Sequence, residues 1–160
     1  MRRLVPLVLV SCAGIGPPPH VALDRDLTAA ERSTRPTAWP IPRQERWILR
    51  RGATEIVFTL LVEAEGYAAM DDFGGVLADS TGQSSRAIPR SLADRMAQLI
   101  GAMSRPGDLA PVRVGENLGW HAPGILWTGD ELFVDGIRVE FTSPKRYEVS
   151  GSLSATVTIG

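Results

Sequence analysis

Excess positive charge, long apolar runs and known catalytic motifs are all missing from this 160-residue chain. The formal net charge is −1, and Lys145 is the single lysine among 17 basic residues, a bias that we attribute to genome composition. Such a chain has no surplus of cations to neutralise phosphates, so nucleic acid is not an expected partner. No apolar run approaches the ~20 residues that a membrane-spanning helix needs.

Motifs for catalysis or metal binding are also lacking. There is no G-x-S-x-G elbow, P-loop, dinucleotide-binding glycine pattern or H-E-x-x-H pair. His121, in a Gly/Pro-rich stretch, is the one candidate general base, and a hydrolase that uses it is the weakest functional hypothesis. The acidic pairs Asp71-Asp72 and Asp130-Glu131 are explained by turns or alternate strand faces. We therefore expect no enzyme, metal or cofactor.

The single cysteine, Cys12, follows a leader-like segment. Met1-Arg2-Arg3 is cationic, Leu4–Val10 is apolar apart from Pro6, and Ser11 is small. This order of charge, apolar core and small residue is typical of a secretory leader. The residues Leu9-Val10-Ser11-Cys12 resemble the bacterial lipobox, in which the cysteine is lipidated and becomes the mature N-terminus. The resemblance implies a membrane anchor on Cys12, and Ala13 after it favours the outer membrane, facing the periplasm. The alternative is a buried cysteine in an N-terminal strand.

A proline-rich segment follows the cysteine. It contains Pro17-Pro18-Pro19, Pro36, Pro40 and Pro42 with few large apolar residues. Such a composition buries too little surface to offset chain entropy, so we predict a tether. The expected organisation is a signal peptide at residues 1–11, lipidated Cys12 and tether at 12–45, and one β-rich domain at 46–160.

Period-two patterning dominates from residue 46, with one helical interruption. Strands are predicted at 46–51 and 54–64 around Gly52-Ala53, with shorter ones near 67–70 and 76–78. A helical stripe then predicts an amphipathic helix over Ser91–Met103, with Ser91 as its N-cap. That stripe, which we expect to pack on the sheet, consists of Leu92, Met96, Leu99, Ile100 and Met103.

The C-terminal third carries the clearest strand signals. Asp135-Gly136 between two apolar segments predicts a two-residue hairpin that pairs Val134 with Ile137 and Leu132 with Val139. From Tyr147 to Ile159 the chain alternates, which predicts one strand of thirteen residues that bends at Gly151 or Ala155. The predicted fold is α+β and mainly β: a strongly curved, half-barrel-like antiparallel sheet with one amphipathic helix packed on it.

Several aromatic residues are candidates for a ligand site. They either line an apolar cavity in the half-barrel or fill a small core. The candidate lining residues are Trp47, Phe58, Trp127, Phe141 and Leu153, with Trp120 as a further aromatic.

The order of these elements resembles a known family. The stretches Trp47–Asp79, Leu92–Met103 and Leu126–Ile159, after a lipobox and a tether, are similar to the lipoprotein-localisation-factor group and its uncharacterised relatives. That resemblance implies an unclosed barrel that holds acyl chains under a helical lid. Our first functional hypothesis is a non-enzymatic envelope lipoprotein that binds an acyl chain or other apolar ligand. The alternative is a structural or assembly lipoprotein that binds a protein partner through a sheet edge or the tether.

Overall fold

A computed structural model describes residues 27–160. In this part of the chain one antiparallel sheet contains eleven strands. The strands are β1 (Arg43–Arg51), β2 (Thr54–Glu63), β3 (Gly66–Met70), β4 (Val76–Asp79), β5 (Ala110–Val114), β6 (Asn117–Ala122), β7 (Ile125–Trp127), β8 (Glu131–Val134), β9 (Ile137–Ser143), β10 (Arg146–Gly151) and β11 (Ala155–Ile159). The helices are α1 (Ala29–Arg32), α2 (Arg90–Ser104) and a 3₁₀ turn at Pro106–Asp108.

The sheet is a meander that is interrupted once. Its order is β4-β3-β2-β1-β11-β10-β9-β8-β7-β6-β5, so β1 and β11 pair in the middle and β4 and β5 form the two edges. Helix α2 lies between β4 and β5 in the chain and therefore carries it from one edge to the other. The sheet is curved and unclosed. The coarse prediction of a mainly β protein with a curved antiparallel sheet and a helix is thus confirmed.

Turn chemistry sets the register of the hairpins. Asp135 has φ +37° and Gly136 has φ +82°, as a two-residue turn with both central residues left-handed requires. This turn pairs Val134 with Ile137 and Leu132 with Val139, as the sequence predicts.

The inward faces of the strands and the helical stripe form one core. Trp47, Phe58 and Leu60 are fully buried, and the alternation predicted for β1 and β2 brings them together. Met96, Leu99 and Met103 of α2 are buried in the same cluster. The amphipathic stripe is thus confirmed, although the helix begins one residue earlier than predicted. Pro89, not Ser91, is its N-cap, and no side chain caps it.

The prediction of one thirteen-residue C-terminal strand is wrong. The chain reverses after Gly151, whose φ is +99°, and β10 and β11 form a hairpin in which Val149 pairs with Ala155. Directly paired residues point to the same face of a sheet. The residue numbers of Val149 and Ala155 differ by six, which is even, so the alternation stays in phase from one strand to the next. Odd-numbered residues therefore face the core on both strands, so the alternation is the same for a hairpin and for one long strand. Leu153, in the connection, is still buried.

The proline-rich segment, predicted to be a tether, contacts the sheet in its described part although most of its residues are exposed. Residues 27–42, which we call the docked N-terminal segment, pack against the sheet. Glu31 forms an ion pair with Arg113 of β5 at 3.0 Å, and the Trp120 indole donates a hydrogen bond to the Thr34 carbonyl at 3.1 Å. Leu27 is buried, and β1 begins at Arg43, before the predicted domain boundary at 46.

Candidate ligand-binding cleft

An open cleft of about 340 Å³ lies between the docked N-terminal segment and one region of the sheet. This volume is at the lower end of the ~300–1,000 Å³ range that is typical of small-molecule sites. Strands β6, β7 and β9 supply its sheet side. Its lining residues are Arg35, Pro36, Thr37, Trp39, Trp120, Trp127, Thr128, Gly129, Phe141, Ser143 and Pro144.

Four of the eleven residues that line the cleft are aromatic. Three of the four tryptophans of the chain, Trp39, Trp120 and Trp127, line it together with Phe141. The Phe141 ring stacks on Trp39 with centroids 5.7 Å apart and on Trp127 with centroids 6.1 Å apart. The interplanar angles with Phe141 are 29° for Trp39 and 21° for Trp127, so each tryptophan ring is stacked on the phenylalanine. Such an arrangement offers a continuous apolar surface to a ligand.

Trp39 connects the cleft to the interior. Its backbone N–H donates a hydrogen bond to the Met103 carbonyl of α2 at 3.1 Å, which fixes the docked segment to the end of the helix. Its ring meets Tyr147 edge-on with centroids 5.4 Å apart. The Arg43 guanidinium lies 5.9 Å from the same ring, in a cation–π contact. Trp39 therefore contacts both the cleft and a polar group of buried residues.

That buried group is organised around Glu45, which has no exposed surface. One carboxylate oxygen, Oε1, accepts hydrogen bonds from the Tyr147 hydroxyl and from the Trp47 indole, both at 2.9 Å. The other oxygen, Oε2, accepts from Arg43 Nε at 2.6 Å. A buried carboxylate is costly without such partners, and here both oxygens have them.

In this buried group, one nitrogen of Arg43 lacks a hydrogen-bond partner. Arg43 Nη1 donates to the Pro40 carbonyl and to the Ser104 hydroxyl, both at 3.2 Å, whereas Nη2 is buried without a partner. Burial, and next the negative charge of Glu45, raises the pKa of Tyr147 well above its ordinary value. The Tyr147 hydroxyl therefore stays protonated and remains a donor.

The predicted lining residues fall into two groups. Trp127 and Phe141 line the cleft. Trp47, Phe58 and Leu153 lie in the hydrophobic core instead, where Trp47 and Phe58 stack with centroids 5.7 Å apart. The sequence analysis missed Trp39 and Arg35 because it assigned them to a tether. A large aromatic residue in an otherwise proline-rich, polar segment was the available signal.

Within the described residues, the candidate general base His121 has no catalytic partner beside it. His121 lies in β6 opposite Leu126, and no hydrogen bond joins its ring to another residue in the described part of the chain. Within residues 27–160, no three metal-binding side chains cluster.

Three residues of the acidic pairs, Asp71, Asp72 and Glu131, form hydrogen bonds or ion pairs with the surrounding structure. The Asp71 carboxylate accepts from the backbone N–H groups of Phe73 and Gly75, and Asp72 pairs with Arg46. Glu131 pairs with Arg138.

Comparisons of the chain with family models, with curated proteins and with solved structures found no match. The similarity to the lipoprotein-localisation-factor group therefore stays a prediction. Cys12 and the predicted leader lie outside the described residues. Among residues 27–160, no helix is long and apolar enough to cross a membrane.

Proposed function

We propose that the protein is a non-enzymatic binding protein for an apolar ligand, held in the cell envelope by a lipid on Cys12 and facing the periplasm from the outer membrane. The proposal of ligand binding rests on the cleft, which is lined by three tryptophans and Phe141. Trp39, Trp120 and Phe141 keep part of their surface accessible. When a ligand removes apolar surface from water, the binding free energy becomes more favourable by ~25 cal/mol per Å².

The position of the cleft supports a link between ligand and anchor. One side of the cleft is the docked N-terminal segment, which contributes Arg35 and Trp39. The same segment joins the domain to the part of the chain that carries Cys12. A ligand in the cleft would therefore contact both the sheet and the chain that leads to the proposed anchor, and would strengthen their association.

The binding proposal is tested by titrating the purified full-length protein with a neutral apolar probe, methyl laurate, while tryptophan fluorescence is followed. We expect saturable binding that weakens at least threefold in Trp120→Ala, because one face of the cleft is lost. Phe73→Ser is the matched control, since it removes an exposed aromatic residue outside the cleft. Equal affinity of both variants, or no saturable signal, contradicts the proposal.

The anchor is tested separately. Cys12→Ser should abolish incorporation of radiolabelled palmitate and release the protein from the membrane fraction. Labelling that persists in this variant would contradict lipidation at Cys12.

A second function, the binding of a protein partner, is favoured by Phe73. This side chain is 97% exposed in the β3–β4 turn. Asp71 Oδ1 holds the turn by accepting from the N–H groups of Phe73 at 2.9 Å and Gly75 at 2.8 Å. An exposed aromatic residue on a hydrogen-bonded turn is a candidate interface anchor, because aromatic residues are enriched at such anchors.

This alternative predicts a defined cross-linked species in cells when a photoreactive residue replaces Phe73. The same residue at position 116, in the β5–β6 turn, serves as the control. Identical patterns at the two positions would argue against a partner at Phe73.

A further inference from the structure

The described residues that line the cleft carry only positive charge. Arg35 is the only ionisable residue among the described residues that line it. Its Nη1 donates to the carbonyl oxygens of Thr34 at 2.6 Å and Arg32 at 3.4 Å, so the chain positions the guanidinium through backbone groups. No carboxylate in the described part of the chain pairs with Arg35. Its positive charge is therefore left for solvent or a ligand.

The acids next to the cleft do not cancel this charge. Glu131 forms an ion pair with Arg138, and Glu31 forms one with Arg113. Asp130 follows the lining residue Gly129 but is itself exposed and does not line the cleft.

Two hydroxyl groups of the lining have assigned hydrogen bonds: Thr128 donates to the Glu131 carbonyl at 3.3 Å, whereas Ser143 keeps its O–H for a ligand. Ser143 Oγ accepts from the backbone N–H of Lys145 at 3.2 Å, which leaves its own O–H to donate elsewhere. Thr37 lines the cleft on the side of Arg35 in the chain. An acceptor that is negatively charged forms hydrogen bonds with such groups that are about twice as strong as those of a neutral acceptor.

From this juxtaposition of an aromatic surface and one unpaired guanidinium, we infer that the ligand is an anionic amphiphile. Its apolar part lies on Trp39, Trp120, Trp127 and Phe141, and its carboxylate or phosphate lies at Arg35. This inference rests on the proposed binding function and specifies the class of ligand.

An aromatic cleft can also bind a cationic ligand, and the experiment must distinguish this alternative from an anionic one. Ring faces attract quaternary ammonium groups. Arg35 at the same cleft disfavours such a cation, because like charges repel at close range. The order of affinities for anionic, neutral and cationic ligands with one chain length therefore identifies the ligand class.

The experiment is a calorimetric titration of the purified full-length protein with four ligands below their micelle-forming concentrations: laurate, dodecyl phosphate, methyl laurate and dodecyltrimethylammonium. We expect at least one of the two anions to bind about three- to tenfold more tightly than the ester, and the cation to bind most weakly. Arg35→Gln should remove the anion preference, because it weakens the binding of the anions more than that of the ester. Arg51→Gln should retain the preference, since Arg51 also donates to two backbone carbonyls but lies outside the cleft lining.

The possible failures are distinguishable. If the ester binds as tightly as both anions, or if Arg35→Gln keeps the preference, the inference is overturned while the proposed function stands. Tightest binding of the cation overturns the inference in favour of a cation–π site. Absence of binding by all four ligands overturns the proposed function as well.

Discussion

Removal of the Glu45 side chain should be among the most destabilising single changes in this protein. In Glu45→Ala, the Tyr147 hydroxyl and the Trp47 indole lose their acceptor, and the buried guanidinium of Arg43 loses its counter-charge. Arg43 already has one buried nitrogen without a partner, so the group has no spare hydrogen bond with which to compensate.

The size of the effect follows from burial. Breaking a buried ion pair by removing one partner costs ~3–5 kcal/mol, because an uncompensated charge stays inside. Tyr147→Phe removes only one hydrogen bond to a charged group and should cost ~1.5–3 kcal/mol. Glu55→Ala is the control, since Glu55 and Arg50 form an exposed pair at 3.9 Å and such pairs contribute ~0–1 kcal/mol.

Urea denaturation of the three variants, followed by circular dichroism, measures these differences. With a denaturant dependence of ~2 kcal/mol per molar urea, the midpoint of Glu45→Ala should fall by ~1.5–2.5 M. Tyr147→Phe should lie between this variant and the wild type, and Glu55→Ala should match the wild type. A loss below ~1 kcal/mol in Glu45→Ala would refute the argument that the buried group holds the interior together.

Three further predictions concern other parts of the fold. Leu153→Ala should cost ~2–5 kcal/mol in urea melts and Ser152→Ala at most ~0.5, since only the leucine is buried; equal effects would contradict the burial. Deletion of residues 27–42 should lower the melting temperature by several degrees, because Trp39 and its contacts are lost; an unchanged value would mean that the segment does not dock. A backbone hydrogen bond from Thr28, and next Arg113, lowers the pKa of Glu31 below 4.5. Its contribution is therefore present above the unfolded pKa and is lost as the pH falls through the folded pKa, so the wild type should lose more stability below about pH 4.5 than Glu31→Gln. Parallel acid profiles of the two proteins would contradict this linkage.

Local signals in the sequence predict much of the sheet. The Asp135-Gly136 turn, the β1–β2 hairpin and the stripe of α2 depend on neighbouring residues, and all three are found in the structure. Strands β5 and β6 were not predicted, because each is short and contains a proline or a glycine.

The cleft was harder to predict because it depends on contacts between distant parts of the chain. Thr34 meets Trp120 across 86 positions, and composition alone carries no information about such a contact. The pairing of β1 with β11 is similarly non-local and is what brings Trp39 to Tyr147 and Phe141. The docked segment therefore resembled a tether in composition although it forms one side of the site.

The indole N–H signals of the four tryptophans provide the most direct test of an apolar ligand in this cleft. In a ¹H–¹⁵N spectrum recorded during titration with laurate, Trp39, Trp120 and Trp127 should shift with one common saturation curve, because they line the cleft. Trp47 should not shift, because it is fully buried in the core and its N–H donates to Glu45. A shift of Trp47 alone, or no saturable shift of any cleft tryptophan, would contradict the account.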